Sequence, residues 1–326
     1  MNNSFGNRFK IEIYGGSHTE SLGVKIWGVP VGMPLTEADF EVDIARRRSG
    51  AIGSTPRRES DTPHIVSGVV DGVTTAEVLE IVFYNENTRS KDYDKLKNHP
   101  RPSHADLTAR HKYGEEFDLR GGGIFSGRMT LLLVAAGVVA KKLLAGATFS
   151  SRIVEIAGSK DPDMFETIIA AAQRDKDSVG GVIECIVSGA GRDLGEPFFD
   201  SVESIAAHLL FSVPAVKGVE FGSGFEGVRL RGSERNDVVI DSNGTTATNN
   251  EGGINGGITN GNPIIVRVAI KPTPSIAQPQ NSYNFETQRI EPLIIGGRHD
   301  ACILVRAAVV VEAVMAISLA ELKLSL

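Results

Sequence analysis

Three histidines stand in settings that suit proton transfer. His18 closes the string Tyr14-Gly15-Gly16-Ser17-His18, His104 sits in Arg101-Pro102-Ser103-His104-Ala105-Asp106, and His299 in Gly296-Gly297-Arg298-His299-Asp300. An imidazole changes charge near neutral pH, and a carboxylate one or two residues away can orient it. Glycine beside such a group lets the backbone close on a ligand, and Ser adds a hydroxyl donor. Any one of these histidines is more often a structural residue than a catalytic one. Taken together, three Gly- or Pro-flanked segments that each join His to Ser, Arg or Asp argue for acid–base work. There is no His-x-x-x-His and no close Cys pair, so a metal site is not expected.

The arginines form the next group. Arg46-Arg47-Arg48 and Arg57-Arg58 place five guanidiniums in positions 46–58 with no acid among them. Cations are favoured at a helix C-terminus, so a solvated helix end accounts for them. A clamp for a polyanion accounts for them equally well, because guanidinium forks match carboxylate and phosphate. Three consecutive arginines cannot share one helix face, so one or two at most would touch a ligand. Glycine is abundant, 36 of 326 residues, and clustered. Arg120-Gly121-Gly122-Gly123 runs into an apolar helix near Ser126, where free amides could meet an anion. Gly252–Gly261 holds five glycines and suits a wall for a flat ring or phosphate, and Lys271-Pro272-Thr273-Pro274-Ser275 adds a cation and two hydroxyls on a rigid turn. Gly222–Gly227 matches the G-x-G-x-x-G string, but Gly227–Leu230 reads as a strand and not as a helix start, which argues against a dinucleotide site.

These groups need a scaffold. The chain has 41% hydrophobic and 23% charged residues, enough apolar mass for a large core. A net charge of −6 disfavours nonspecific nucleic-acid binding as the main role, and Arg46–Arg58 has no interleaved aromatics for stacking on single strands. Cys185 and Cys302 read as free thiols in a reducing compartment, and no apolar leader opens the chain, so a cytoplasmic protein is expected. Two apolar runs, Met129–Ala140 and Ala307–Ala320, fall short of a membrane span and predict buried helices. Thr36-Glu37-Ala38-Asp39 predicts a capped helix to Arg48. Helices are also predicted over 126–144, 164–173, 202–211 and 306–323, and strands over 64–73, 77–84, 181–188 and 263–271. Polar loops are expected over 49–60 and 91–101. Each half thus holds one buried helix among strands, a pattern compatible with an internal pseudo-repeat in a layered α+β domain spanning residues 1–326.

In order along the chain, these strings resemble the chorismate synthase family. The resemblance is carried by Gly15–His18, Arg46–Arg48, Arg57–Glu59, Arg101–Asp106, Arg120–Gly123 with Ser126 and Arg128, Gly252–Gly261, Lys271–Ser275 and Gly297–Asp300. It implies a β-α-β sandwich with long helices between antiparallel sheets, assembled as a homotetramer. It also implies 1,4-anti elimination of phosphate from 5-enolpyruvylshikimate 3-phosphate, with reduced FMN supplied by an external, NADPH-dependent reductant. Neither nucleic acid nor membrane is implied as a partner.

By the same resemblance His18 protonates the leaving phosphate and His104 sets the flavin's protonation state. Asp300, with Ser17 and Ser126, relays the proton that the flavin takes from C6. Arg47, Arg101, Arg128 and Arg298 hold the substrate's anionic groups, while Ser126, Ala215, Gly256, Lys271, Pro272, Thr273, Pro274, Ser275 and Arg298 hold FMN. The chain departs from the family pattern at Gly16, Thr19, Ile52-Gly53, Met129 and Pro214, and carries Ile124-Phe125 where Arg-Ser is usual. Losing those two polar partners would weaken anion or cofactor binding by about 1–3 kcal/mol each. The rival within the family is a divergent paralogue that binds flavin or another anion without this chemistry. A rival from another class is a nucleic-acid or assembly protein using the basic loops.

Overall fold

The computed structural model describes residues 3–55, 59–86, 96–296 and 299–326. Arg57, Arg58, Gly297, Arg298 and part of the expected loop 91–101 lie outside the described residues.

Period-two burial builds two antiparallel sheets. The first holds β1 (Ser4–Phe5), β2 (Ile11–Gly15), β3 (Ser21–Ile26), β4 (His64–Ser67) and β5 (Leu79–Tyr84) in the order β1-β2-β3-β5-β4. Leu22, Val24 and Ile26 of β3 face Phe83, Ile81 and Leu79 of β5 in register, and all are buried. This gives the sheet one apolar face.

The second sheet holds β6 (Thr148–Ile156), β7 (Gly181–Ser188), β8 (Val216–Phe221) and β9 (Ile264–Ile270) in the order β8-β9-β7-β6. Ile183, Cys185 and Val187 pair with Val268, Val266 and Ile264 on its inner face. Its opposite face carries a cross-strand ladder. Glu184 accepts from Arg152 at 2.7 Å and from Arg267 at 2.9 Å, and Arg267 reaches Glu220 at 3.5 Å.

The helices are α1 (Glu41–Arg47), α2 (Asp106–Tyr113), α3 (Thr130–Leu143), α4 (Phe165–Arg174), α5 (Val202–Ser212) and α6 (Leu304–Lys323). Two of them, α3 and α6, are apolar nearly all round because both lie inside the molecule. They pack on each other, with α3 also against β3 and α6 against β6, β7 and α5. A Cβ on Gly137 of α3 would collide with Ala313 of α6, so glycine sets this close crossing. The result is a β-α-β sandwich of antiparallel sheets with helices between them, the α+β class expected. No described helix is long and apolar enough to cross a membrane.

The apolar runs of α3 and α6 end or break at Lys141 and Glu312, and these meet. Glu312 accepts from Arg46 at 2.7 and 2.6 Å, from Ser151 at 2.6 Å and from Lys141 at 3.1 Å, while Lys141 also reaches Asp43 at 2.7 Å. Burial pushes the Glu312 carboxyl up, but the hydrogen bonds from Arg46 and Ser151 and the charge of Lys141 outweigh it, leaving it below its ordinary value.

Several local expectations are corrected. The stretch Gly227–Leu230 is not a strand. After β8 the chain forms a one-turn helix, Gly224–Gly227, because Glu220 accepts from the Phe225 amide at 3.0 Å. Gly222–Gly227 therefore does follow a strand and open a helical turn. Glu220 sits where a phosphate would need those amides, so like charge keeps the turn from serving as a dinucleotide site. The strand expected over 64–73 is broken by Gly68, at φ 84°, into His64–Ser67, Val69–Val70 and Val73–Thr74. Neither α2 nor the hairpin β2–β3 was predicted from sequence pattern.

Candidate active site

The triple glycine organises two of the histidine segments. Gly121, Gly122 and Gly123 have φ of 60°, 87° and 55°, a run that side chains would strain. A Cβ on Gly121 would strike the His18 ring, and one on Gly122 would lie 3.7 Å from His104 Nε2 and 3.5 Å from Ser126 Cβ. The Ser17 amide donates to the Gly123 carbonyl at 3.2 Å. His18 and His104 therefore approach different residues of one bare turn. Directly after it, Ser126 caps a short 3-10 segment by accepting from the Arg128 amide at 3.2 Å, and α3 follows.

His104 is oriented by its neighbours. Nδ1 lies 2.7 Å from Asp106 Oδ1 and 3.0 Å from Arg101 Nη2. The shorter contact makes Nδ1–H a donor to the carboxylate and leaves the Nε2 lone pair toward Gly122. Arg101 holds Asp106 through two side-chain bonds of 2.8 and 2.7 Å, and donates to Ser275 Oγ at 3.0 Å. Burial raises the Asp106 carboxyl, but Arg101 and His104 outweigh it and hold it far below the carboxylate range. Burial, only partly opposed by Asp106, holds the His104 imidazole below its ordinary value, which favours the neutral ring. Lys271 donates to the Ser103 carbonyl at 2.7 Å, tying the Lys-Pro-Thr turn to this segment.

A second cluster is made of guanidiniums and carboxylates. Arg47, only 2% exposed, donates to Thr130 at 3.1 Å, to the Gly127 and Arg128 carbonyls at 2.9 and 3.1 Å, and to Asp61 at 3.4 Å. Burial, then the charge of Arg306, pulls the Arg47 guanidinium down to about 9. The other oxygen of Asp61 takes Arg128 Nη1, whose Nε donates to Asn85 Oδ1 at 3.0 Å. Arg128 Nη2 is buried and has no hydrogen-bond partner among the described residues. Asp300 accepts from the Thr55 amide at 2.8 Å and from Arg306 at 3.3 and 3.2 Å, and Arg306 also donates to the Arg47 carbonyl at 2.9 Å. The three consecutive arginines diverge as helical geometry requires, Arg46 to Glu312, Arg47 inward, and Arg48 to Glu41 at 2.6 Å.

Both clusters open on one cavity of about 640 Å³. Ser17, Arg47, Arg101, His104, Ser126, Arg128, Ala215, Lys271, Thr273, Pro274, Ser275 and Asp300 line it. His18 stands behind Gly121 and Pro272 packs on Gly180, both off the lining. Gly256 is exposed in a tight hairpin, Ile254–Asn255 with Ile258–Thr259, away from the lining. Arg298 lies outside the described residues. Ile124 and Phe125 do face the cavity, alongside Phe211, Pro214 and Val310.

Charged lining residues given no role from sequence include Asp61 and Arg306, while His299, one of the three histidines singled out there, also lines the cavity with its Nε2 3.0 Å from the Gly296 carbonyl. Asp61 stands two residues after the recognised string Arg57–Glu59. Arg306 could have been found as an Arg at the apolar face of a buried helix. No group of three or more His, Cys, Asp or Glu among the described residues could hold a metal ion.

Comparison with known proteins bears on this geometry. The family described as chorismate synthase matches residues 9–324. The chorismate synthase of Chitinophaga pinensis is 53% identical over 324 residues, covering 99% of this chain and 96% of its own. That of Dehalococcoides mccartyi is 42% identical, covering 99% and 97%. A crystal structure of chorismate synthase covers 98% of this chain and 93% of its own at 27% identity, with a TM-score of 0.76.

Proposed function

This chain belongs to the chorismate synthase family, which makes it a lyase, and from that premise we propose that it eliminates phosphate from 5-enolpyruvylshikimate 3-phosphate to give chorismate, using reduced FMN. The observation that carries this reading is the meeting of His104, Arg128 and Asp300 on the walls of one cavity in a member of this family. A 1,4-elimination removes a proton from C6 and releases phosphate. The Asp300 carboxylate, oriented by the Thr55 amide and Arg306, is the group to receive that proton, with the Ser17 and Ser126 hydroxyls on the same cavity as carriers. Arg128 Nη2, buried and unpartnered, is the donor for an anionic group of the substrate. His104 presents a neutral imidazole through Nε2. His18, assigned by resemblance to the leaving phosphate, stands one glycine away from the cavity.

FMN needs an apolar slot for its rings and cations for its phosphate. The cavity has both, with Ile124, Phe125, Phe211 and Pro214 as apolar lining and Lys217 and Lys271 as cations. Its volume is in the range of cofactor pockets, about 300–1,000 Å³. When bound, reduced FMN supplies an electron-rich ring able to exchange protons and electrons with the substrate. In the same reading the chain works as one domain, as a homotetramer in the cytoplasm, with an external NADPH-dependent reductant. The paralogue reading is favoured by one observation, that Ile124 and Phe125 face the cavity where Arg and Ser are usual.

Anaerobic mixing of the protein with reduced FMN and 5-enolpyruvylshikimate 3-phosphate tests the choice. Chorismate absorbance should appear. A folded protein that yields none at saturating reduced flavin overturns the lyase reading and leaves the paralogue.

A further inference from the structure

We infer that Asp61 is the positioning residue of the anion grip, acting through Arg128. The inference rests on the reading that the cavity takes a phosphorylated anion. A guanidinium is planar and rigid, so fixing two of its nitrogens fixes the direction of the third. Arg128 Nε is held by Asn85 at 3.0 Å and Nη1 by Asp61, which leaves Nη2 buried and without a partner among the described residues, on a side chain that lines the cavity. An unsatisfied buried donor is costly unless a ligand completes it.

Asp61 is built for this task. It is 3% exposed, and its second oxygen takes Arg47 Nη1, while Arg47 Nε and Nη2 are engaged by Thr130 and two backbone carbonyls. Arg47 therefore anchors Asp61 to the start of α3, and Asp61 aims Arg128. The Asp61 backbone has φ 49°, a left-handed conformation that Asp, Asn and Gly tolerate best. No functional reading of the sequence singled this residue out, because its partners come from α1 and from the turn before α3.

Inorganic phosphate is the probe, and calorimetry on the full chain without flavin is the measurement. Asp61→Asn keeps the backbone preference and the shape but can satisfy only one of the two guanidiniums. It should weaken phosphate binding about tenfold, as for a lost charged hydrogen bond. In an Arg128→Gln background the same change should shift affinity less than about twofold, because the two residues act as one unit. Equal weakening in both backgrounds would mean that Asp61 acts through general structure, and tighter binding would mean that it acts only as a repelling charge. Either result overturns the inference, as does a parent protein that binds no phosphate. If Asp61→Asn does not fold, Asp61→Gly removes the carboxylate without backbone strain and must give the same pattern. Phosphate binding needs no turnover, so failure of the lyase assay with this pattern intact would sink the function alone.

Discussion

Arg46 and Arg47 are neighbours in the chain, yet α1 sends them into two charge networks of opposite character, the first partly exposed through Arg46 and the second buried. Arg46 enters a network of two cations and two anions, with Lys141, Asp43 and Glu312, in which both oxygens of Glu312 and Asp43 are partnered. Arg47 enters one with Arg128, Arg306, Asp61 and Asp300, which among the described residues sets three cations against two anions and leaves Arg128 Nη2 without a partner. The first network lies among α1, α3, α6 and β6, whereas the second lines the cavity. Balanced charge with satisfied atoms describes a joint between layers. Excess positive charge with an open donor describes a surface that an anion completes.

The comparison breaks most visibly if the two networks do not separate activity from stability. His104, tied to the cavity side through Asp106, should be the sharpest case for activity. His104→Ala is expected to slow turnover by about 10²–10⁴-fold. Its cost to stability should stay near 1 kcal/mol, because Asp106 keeps both bonds from Arg101. Steady-state chorismate formation and urea denaturation of the same sample check this. A near-normal rate would reduce the imidazole to a packing partner. Glu312→Ala should do the reverse. Removing the buried carboxylate deprives Arg46, Lys141 and Ser151 of a partner, but Arg46 is 41% exposed and can be resolvated, so the cost is about 1–3 kcal/mol. The rate per folded molecule should not change, since Glu312 is not on the cavity. A Glu312 variant of full stability, or a folded one without activity, would erase the distinction.

The same contrast explains how much could be read from the chain. Glu312 and Lys141 were visible as interruptions in apolar runs, but nothing in their spacing said that they meet each other and Arg46. Most strings that carry chemistry were legible because glycine, histidine and arginine cluster locally around a turn, and twelve of the assigned residues do line one cavity. Asp61 and Arg306 escaped because their meaning lies in partners 67 and 259 residues away. Gly252–Gly261, read as a ligand wall, shows a second need for glycine. Gly252 and Gly253 pack on Gly222 and Pro263, and Gly257 on Ser201. Close chain approach and a ligand both call for glycine, and composition alone cannot tell the two needs apart.

The finest distinction is in acid. The cavity and the joint each hold a group whose native pKa lies below its ordinary value, His104 on the cavity wall and Glu312 in the joint. Below its ordinary 6.5, His104 takes a proton in the unfolded chain before it does so in the native one, so stability falls with pH from there toward its lowered native value. His299, also lowered by burial, adds to the same window. For Glu312 the stabilising charge is fully present above 4.5 and is lost as pH drops from there through its native value. Urea midpoints measured from pH 7 downward should therefore show two separate declines, the upper shared by His104 and His299 and the lower by Glu312 with Asp106 and Glu184, each group adding at most one proton's worth, about 1.4 kcal/mol per pH unit. His104→Gln should reduce only the upper decline and Glu312→Gln only the lower. If either variant flattened both, the cavity network and the joint would be one electrostatic unit despite their separate geometry, and Arg46 and Arg47 would have to be read together.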